Sequence, residues 1–178
     1  GKADIAGPVL YDETGKVWAT TGIIDKKRFS AGLETKKLHH LTYVDYVPGT
    51  AMLIKKDVFE ETGFFAEDYF LYYDEVDFAY RAAKAGFIFA VDPRASITHF
   101  SSFTVGKTSD AKRYYAARNH LLFVERFAPF LIKVREFIRL PRTIYQARSD
   151  RAELLGIRDY FLRRFGRNDR LLYKTDKI

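Results

Sequence analysis

Three carboxylates stand within four residues of this chain, at Asp74, Glu75 and Asp77. An aromatic run, Phe64-Phe65-Ala66-Glu67-Asp68-Tyr69-Phe70-Leu71-Tyr72-Tyr73, leads into them, and Arg81 follows. Neighbouring carboxylates repel when both are ionised, so a fold keeps them together where a metal, a cation or a reaction uses them. On a helix, Asp74, Asp77 and Arg81 fall at i, i+3 and i+7 and share a face, with Asp77 and Arg81 one turn apart. Glu75 points about 100° away from Asp74, so the two neighbours can serve different partners. A carboxylate beside aromatics at a helix N-terminus suits a general base. The plainer reading is a solvated acidic first turn closed by an Asp77–Arg81 pair. From this helix alone both readings stand open.

With 178 residues, 47% of them hydrophobic and 16% aromatic, the chain can bury a core of its own. It contains no cysteine, which excludes disulfides and thiolate metal ligands and fits a reducing compartment. No leader-like segment is recognisable, and no apolar run approaches the roughly 20 residues needed to cross a bilayer. The net charge of +7 is uneven. Residues 1–106 hold 12 Lys/Arg against 15 Asp/Glu, a balance of −3, and residues 107–178 hold 18 against 8, a balance of +10. An anionic partner is therefore expected for the C-terminal part, although basic faces on solvated helices are common.

The pattern divides the chain near residue 110. Residues 7–24 read as a hairpin turning at Asp12-Glu13-Thr14-Gly15, and residues 25–42 as a polar loop. Thr42–Tyr46 and Thr50–Ile54 read as strands interrupted by Pro48-Gly49, the second of them buried. Lys56–Thr62 reads as a short helix stopped by Gly63, and a second helix runs from Asp74 to Gly86. Phe87–Val91 and Ala95–Phe100 read as strands separated by a turn at Asp92-Pro93, and Ser101–Ser109 as a polar, mobile segment. From Asp110 onward the spacing is helical, with breaks expected at Pro129, Pro141 and Gly156. This predicts an α/β part with a short mixed sheet over 1–109 and a basic helical region over 110–178.

The order of features from Val44 to His99 closely resembles the acceptor-side half of family 2 glycosyltransferases of the rhamnosyl- and galactofuranosyl-transferase type. The Gly-containing strand and short helix come first (Val44 to Gly63), then the aromatic approach to Asp74-Glu75, then Arg81. Ala95-Ser96-Ile97-Thr98-His99 follows, and later Arg118-Asn119-His120-Leu121-Leu122-Phe123 is similar to the family's Arg-Asn helix. The resemblance covers roughly residues 7–127, with a loose match at Gly156-Ile157-Arg158-Asp159. It implies the C-terminal half of a GT-A, Rossmann-like fold. It implies an inverting transfer of a sugar from a nucleotide-sugar donor to a cell-surface polysaccharide or lipid-linked glycan acceptor. By resemblance Glu75 and Asp74 supply the base, Tyr46, Gly49, Thr50, Asp77 and Arg81 bind substrate, and His99 joins a divalent metal site, Mn²⁺ or Mg²⁺. On its own residues His99 reads as a strand-end histidine bonded to backbone.

The sequence departs from that family where Phe65-Ala66-Glu67 replaces the usual Phe-Asp-Glu, where Tyr46 stands for a common tryptophan, and where Glu75 stands for a more usual Asp. His39 and His40 have no counterpart. The strands, helices and Asp-x-Asp motif that bind the nucleotide in the family do not precede Gly1. The expectation is therefore a C-terminal fragment whose remaining metal ligands lie outside this chain. The resemblance also implies a cytoplasmic protein, peripheral at the inner face of the membrane. The alternative is a non-catalytic module that docks on a membrane or protein partner through its basic helices. Nucleic-acid binding ranks last, because no reader motif accompanies the charge.

Overall fold

The structure is a computed structural model that describes residues 2–100 and 109–169. These fall into two compact units. The first takes the residues up to Lys26, then Ser30–Ala66, then Asp74 to residue 100. The second takes Lys27–Phe29, Glu67–Tyr73 and the described residues from 109 on.

The first unit is built on a mixed sheet in the order β2 (Val17–Ala19), β1 (Ile5–Tyr11), β7 (Phe89–Thr98), β5 (Thr42–Tyr43), with β6 (Leu53–Ile54) also paired to β1. Strand β1 (Ile5–Tyr11) alternates buried and partly covered residues and places Ile5, Val9 and Leu10 in the core. Its return, β2 (Val17–Ala19), is set by Asp12, whose carboxylate accepts from the backbone N–H of Thr14 and Lys16. Gly15 takes the left-handed conformation there, at φ 79°. Strand β7 (Phe89–Thr98) runs parallel to β1, from the Ile5–Phe89 pair to the Tyr11–Thr98 pair. The expected turn at Asp92-Pro93 is instead an excursion within this single strand. Register slips between Gly7 and Val9 on β1, opposite Val91 and Ser96 on β7, and the Asp92 carboxylate ties back the N–H and guanidinium of Arg94. Pro8 and Pro93, lacking N–H groups, sit at the slip, where the ladder asks for no donor.

The end of the stretch read as the first hairpin and the start of the one read as a polar loop together form a second hairpin. Strands β3 (Thr21–Asp25) and β4 (Ser30–Glu34) pair antiparallel over five residue pairs. Its determinants are tertiary. The Tyr46 ring lies against Gly22, where an added Cβ would come within 2.6 Å of ring carbons, and the Tyr46 hydroxyl donates to Gly32 O at 2.8 Å. Strands β5 (Thr42–Tyr43) and β6 (Leu53–Ile54) are shorter than expected, and Leu53 is 76% exposed rather than buried. Helix α1 (Lys56–Thr62) ends at Gly63 and α2 (Asp74–Lys84) runs out at Gly86, both glycines at positive φ.

The second unit is helical. Ser109 caps α3 (Asp110–Phe127) by accepting from Lys112 N. Pro129 starts α4 (Phe130–Gln146), and Asp150 caps α5 (Arg151–Phe161) by accepting from Ala152 N and Glu153 N. Pro141 and Gly156 do not break helices as expected but stand inside α4 and α5. Pro141 costs one i→i−4 bond in a helix that buries none of its residues. Gly156 is a crossing point, because a Cβ there would meet Tyr114 O of α3 at 2.3 Å. Replacing Gly156 with Ala should therefore destabilise the chain by at least about 1–3 kcal/mol, since rigid backbone must move to admit one methyl group. Urea unfolding followed by circular dichroism measures this. An unchanged midpoint would show that the helices separate freely.

Candidate functional site

The aromatic approach to the acidic cluster is not a helix or a strand. Residues 67–73 form an irregular strap, in which Phe70, Tyr72 and Tyr73 all adopt left-handed backbone at φ 63°, 62° and 70°. Each such residue with a Cβ costs about 1–2 kcal/mol, so the surroundings must hold it there. Two adjacent residues of α3 do so. Arg118, 0% exposed, donates to the carbonyls of Asp68 (3.0 Å), Tyr69 (2.8 Å) and Gly166 (2.7 Å). Asn119, also 0% exposed, donates from its amide to the carbonyls of Tyr69, Leu71 and Tyr72 and accepts from Arg118 Nε. The buried guanidinium also faces the rings of Tyr114, Tyr115 and Phe165 at 4.9–6.0 Å, which compensates part of its lost hydration. Tyr73, the last strap residue, shares a 3.1 Å hydrogen bond with His120 Nδ1. Burial pushes the His120 imidazole below its ordinary value of 6.5.

Asp74 follows Tyr73 directly and opens α2. In the first unit the acidic cluster splits into two roles. Asp77 is 1% exposed and pairs through Oδ1 with Arg81 Nε at 2.7 Å. Arg81 also donates to the carbonyls of Thr62 and Phe64, and so fastens the chain after α1 to α2. Phe59, Phe64, Phe65 and Phe78 pack beside this clamp, with Phe65 stacked on Phe78 at 4.6 Å. Asp77 and Arg81, expected to bind substrate, thus spend these contacts on the protein itself. So does Tyr46, which is 3% exposed and holds the β3–β4 hairpin.

Asp74 and Glu75 remain half-buried on the first turn of α2. Gly49 lies against Glu75, and a Cβ on it would stand 3.4–3.6 Å from the Glu75 side-chain carbons. The Pro48-Gly49 break thus brings exposed backbone, continued by exposed Thr50, alongside one carboxylate. His99 lies just beyond β7. Its N–H donates to Tyr11 O at 2.7 Å, and its half-buried ring meets Trp18 edge-on at 4.8 Å. Its ring nitrogens make no hydrogen bond among the described residues, so the imidazole fits a metal as one donor. No group of three or more His, Cys, Asp or Glu able to hold a metal ion occurs among the described residues. His39 and His40 lie between β4 and β5, apart from α2 in sequence.

No protein-family model matches the chain. Parts of it align with enzymes of glycan assembly. A low-salt glycan biosynthesis hexosyltransferase, Agl10, of Haloferax volcanii is 44% identical over 48 residues, 27% of this chain and 16% of that protein. The N-acetylglucosaminyl-diphospho-decaprenol L-rhamnosyltransferase of Mycobacterium tuberculosis is 28% identical over 81 residues, 46% of this chain and 26% of that protein. The chain is similar to glycosyltransferases of glycan biosynthesis. The aligned stretches span about a quarter or less of these curated relatives.

Sequence reasoning placed the carboxylates but assigned no task to Arg118, Asn119 or His120. The available signal was a run of polar residues, Arg118-Asn119-His120, inside an otherwise apolar helix pattern. Asn119→Ala should cost about 2–4 kcal/mol, because the carbonyls of Leu71 and Tyr72 lose their side-chain donor while that of Tyr69 keeps only Arg118. Hydrogen exchange at the amides of residues 68–73 should quicken in the same variant, and unchanged exchange there would refute the strap's dependence on Asn119. Because the folded state depresses the His120 pKa, its neutral-ring contribution is fully present above 6.5 and is lost as pH falls through the lower folded value. Thermal melts from about pH 7 to about pH 5 should show a decline that His120→Gln flattens.

Proposed function

We propose that this chain is the acceptor-and-base side of an inverting, metal-dependent glycosyltransferase of family 2 with a GT-A-type fold. The observation that carries the reading is the apposition of exposed Gly49 backbone and the half-buried Glu75 carboxylate on the first turn of α2. The similarity to a hexosyltransferase and a rhamnosyltransferase supports it. An acceptor hydroxyl lying along Gly49-Thr50 gives its proton to Glu75, with Asp74 beside it. The freed oxygen attacks the anomeric carbon of a nucleotide sugar from the face opposite the leaving group. The bond from that carbon to the diphosphate breaks, and the carboxylic acid later returns its proton to water. His99 would be one ligand of a divalent cation, Mn²⁺ or Mg²⁺, which would offset the charge of the leaving diphosphate.

Asp77, Arg81 and Tyr46 act here as positioning residues, since each is occupied within the fold. Arg81 and Asp77 fix the helix that carries the carboxylates, and Tyr46 fixes the hairpin before Gly49. The donor, its nucleotide-binding Asp-x-Asp segment and a polysaccharide or lipid-linked acceptor complete the reaction.

In a protein that joins this chain to its nucleotide-binding half, Glu75→Gln should lower turnover by roughly 10²–10⁴-fold and leave donor affinity nearly unchanged. Asp74→Asn should also be harmful. Near-normal turnover in both variants would leave the competing reading, a non-catalytic docking module, as the better one.

A further inference from the structure

Helix α4 is the one long element among the described residues that buries nothing. It is not polar. Phe130, Leu131, Phe137 and Ile138 are 76%, 79%, 73% and 71% exposed, and Val134 and Tyr145 are open as well. These positions follow i, i+1, i+4, i+7, i+8 and i+15, so they form one continuous apolar stripe. The neighbouring helix offers no such surface: α3 turns Tyr114, Tyr115, Leu122, Phe123 and Val124 into the core. The basic residues of α4 (Lys133, Arg135, Arg139 and Arg142) lie on the flanks and back of the stripe. Its one acid, Glu136, is neutralised by Arg135 at 3.1 Å and Arg139 at 2.9 Å, with only 12% of its side chain exposed.

We propose that α4 is an interfacial helix, which lies in the plane of an anionic lipid surface with its Phe130–Tyr145 stripe among the acyl chains. Three observations select this occupant. The stripe is apolar and aromatic while its rims are cationic, the charge pattern that suits anionic headgroups. Its 17 residues, about 26 Å long and interrupted by cations, cannot cross a bilayer, and no described helix is long and apolar enough to do so. A second copy of the chain fits poorly, because pairing stripe on stripe sets cationic rim against cationic rim. The proposal stands on the geometry of α4 and does not need the sugar-transfer reading.

Flotation of the 178-residue chain with vesicles, in the absence of any sugar donor or acceptor, tests it. The probes are phosphatidylcholine vesicles with and without about one-third phosphatidylglycerol. Binding should require the anionic lipid and weaken as salt rises, since surface charges are screened over about 8 Å at physiological ionic strength. The paired change Phe137→Ser with Ile138→Ser should weaken binding roughly tenfold or more, while circular dichroism stays as in the parent chain. Lys133→Gln with Arg142→Gln should remove the preference for anionic vesicles. Leu53→Ser, at an equally exposed apolar site of the first unit, should change nothing. Absence of binding at low salt, or full binding by the folded Phe137/Ile138 variant, would overturn the proposal. So would a dimer in size-exclusion chromatography that this variant dissociates while vesicles bind neither form. That result would give the face to a second copy.

Discussion

The guanidinium of Arg118 and the amide of Asn119, side by side on α3, are the interaction on which the helical unit rests. They make five hydrogen bonds, charge-assisted or amide, to backbone carbonyls of the strap, and Arg118 reaches Gly166 as well. Without such partners, buried carbonyls and three left-handed non-glycine residues would each cost free energy comparable to a sizeable part of a domain's stability. A lysine at 118 could not replace the arginine, because one ammonium cannot present planar donors to several carbonyls while stacking on Tyr115. The strap in turn explains why the aromatics before Asp74 are so dense: Tyr69 is fully buried, Phe70 lies against Tyr115, and Tyr73 reaches His120 and Phe123.

In the first unit the same economy separates structure from chemistry. Of three neighbouring acids, Asp77 turns inward and is paired with Arg81. Asp74 and Glu75 are left on the helix dipole at the surface of the unit. The plainer reading of the cluster, an Asp77–Arg81 pair, is thus met at those two residues. The i, i+4 pair is structural, and the i, i+1 pair is the one to which the proposed chemistry is assigned.

Features encoded by local chemistry were legible in the sequence. The turn at Asp12–Gly15, the glycine stops after α1 and α2, the start of α4 at Pro129 and the helical C-terminal part follow from residue type at fixed spacing. Features made by distant partners were not. The β3–β4 hairpin depends on Tyr46, twelve or more residues beyond it. The continuity of β7 through Pro93 depends on a register slip against β1. Gly156 carries a helix crossing instead of ending a helix. For the site, the spacing of Asp74, Glu75, Asp77 and Arg81 gave the carboxylates and the pair. The inward commitment of Tyr46 and the holding of the strap by Arg118 and Asn119 needed the packed chain. The mixture of basic and apolar residues in the C-terminal part was visible in the sequence, and packing leaves the exposed apolar positions on α4 while α3 buries its own.

The central claim is that a carboxylate on the first turn of α2 activates an acceptor for a single displacement at an anomeric carbon. The configuration of the product tests it most directly. Proton NMR of the first glycoside formed by the protein carrying this chain reports the anomeric coupling of the new bond. The account requires inversion relative to the nucleotide-sugar donor. A product that retains the donor's configuration would require a second displacement or a front-face route, and would contradict the role assigned to Glu75 and Asp74.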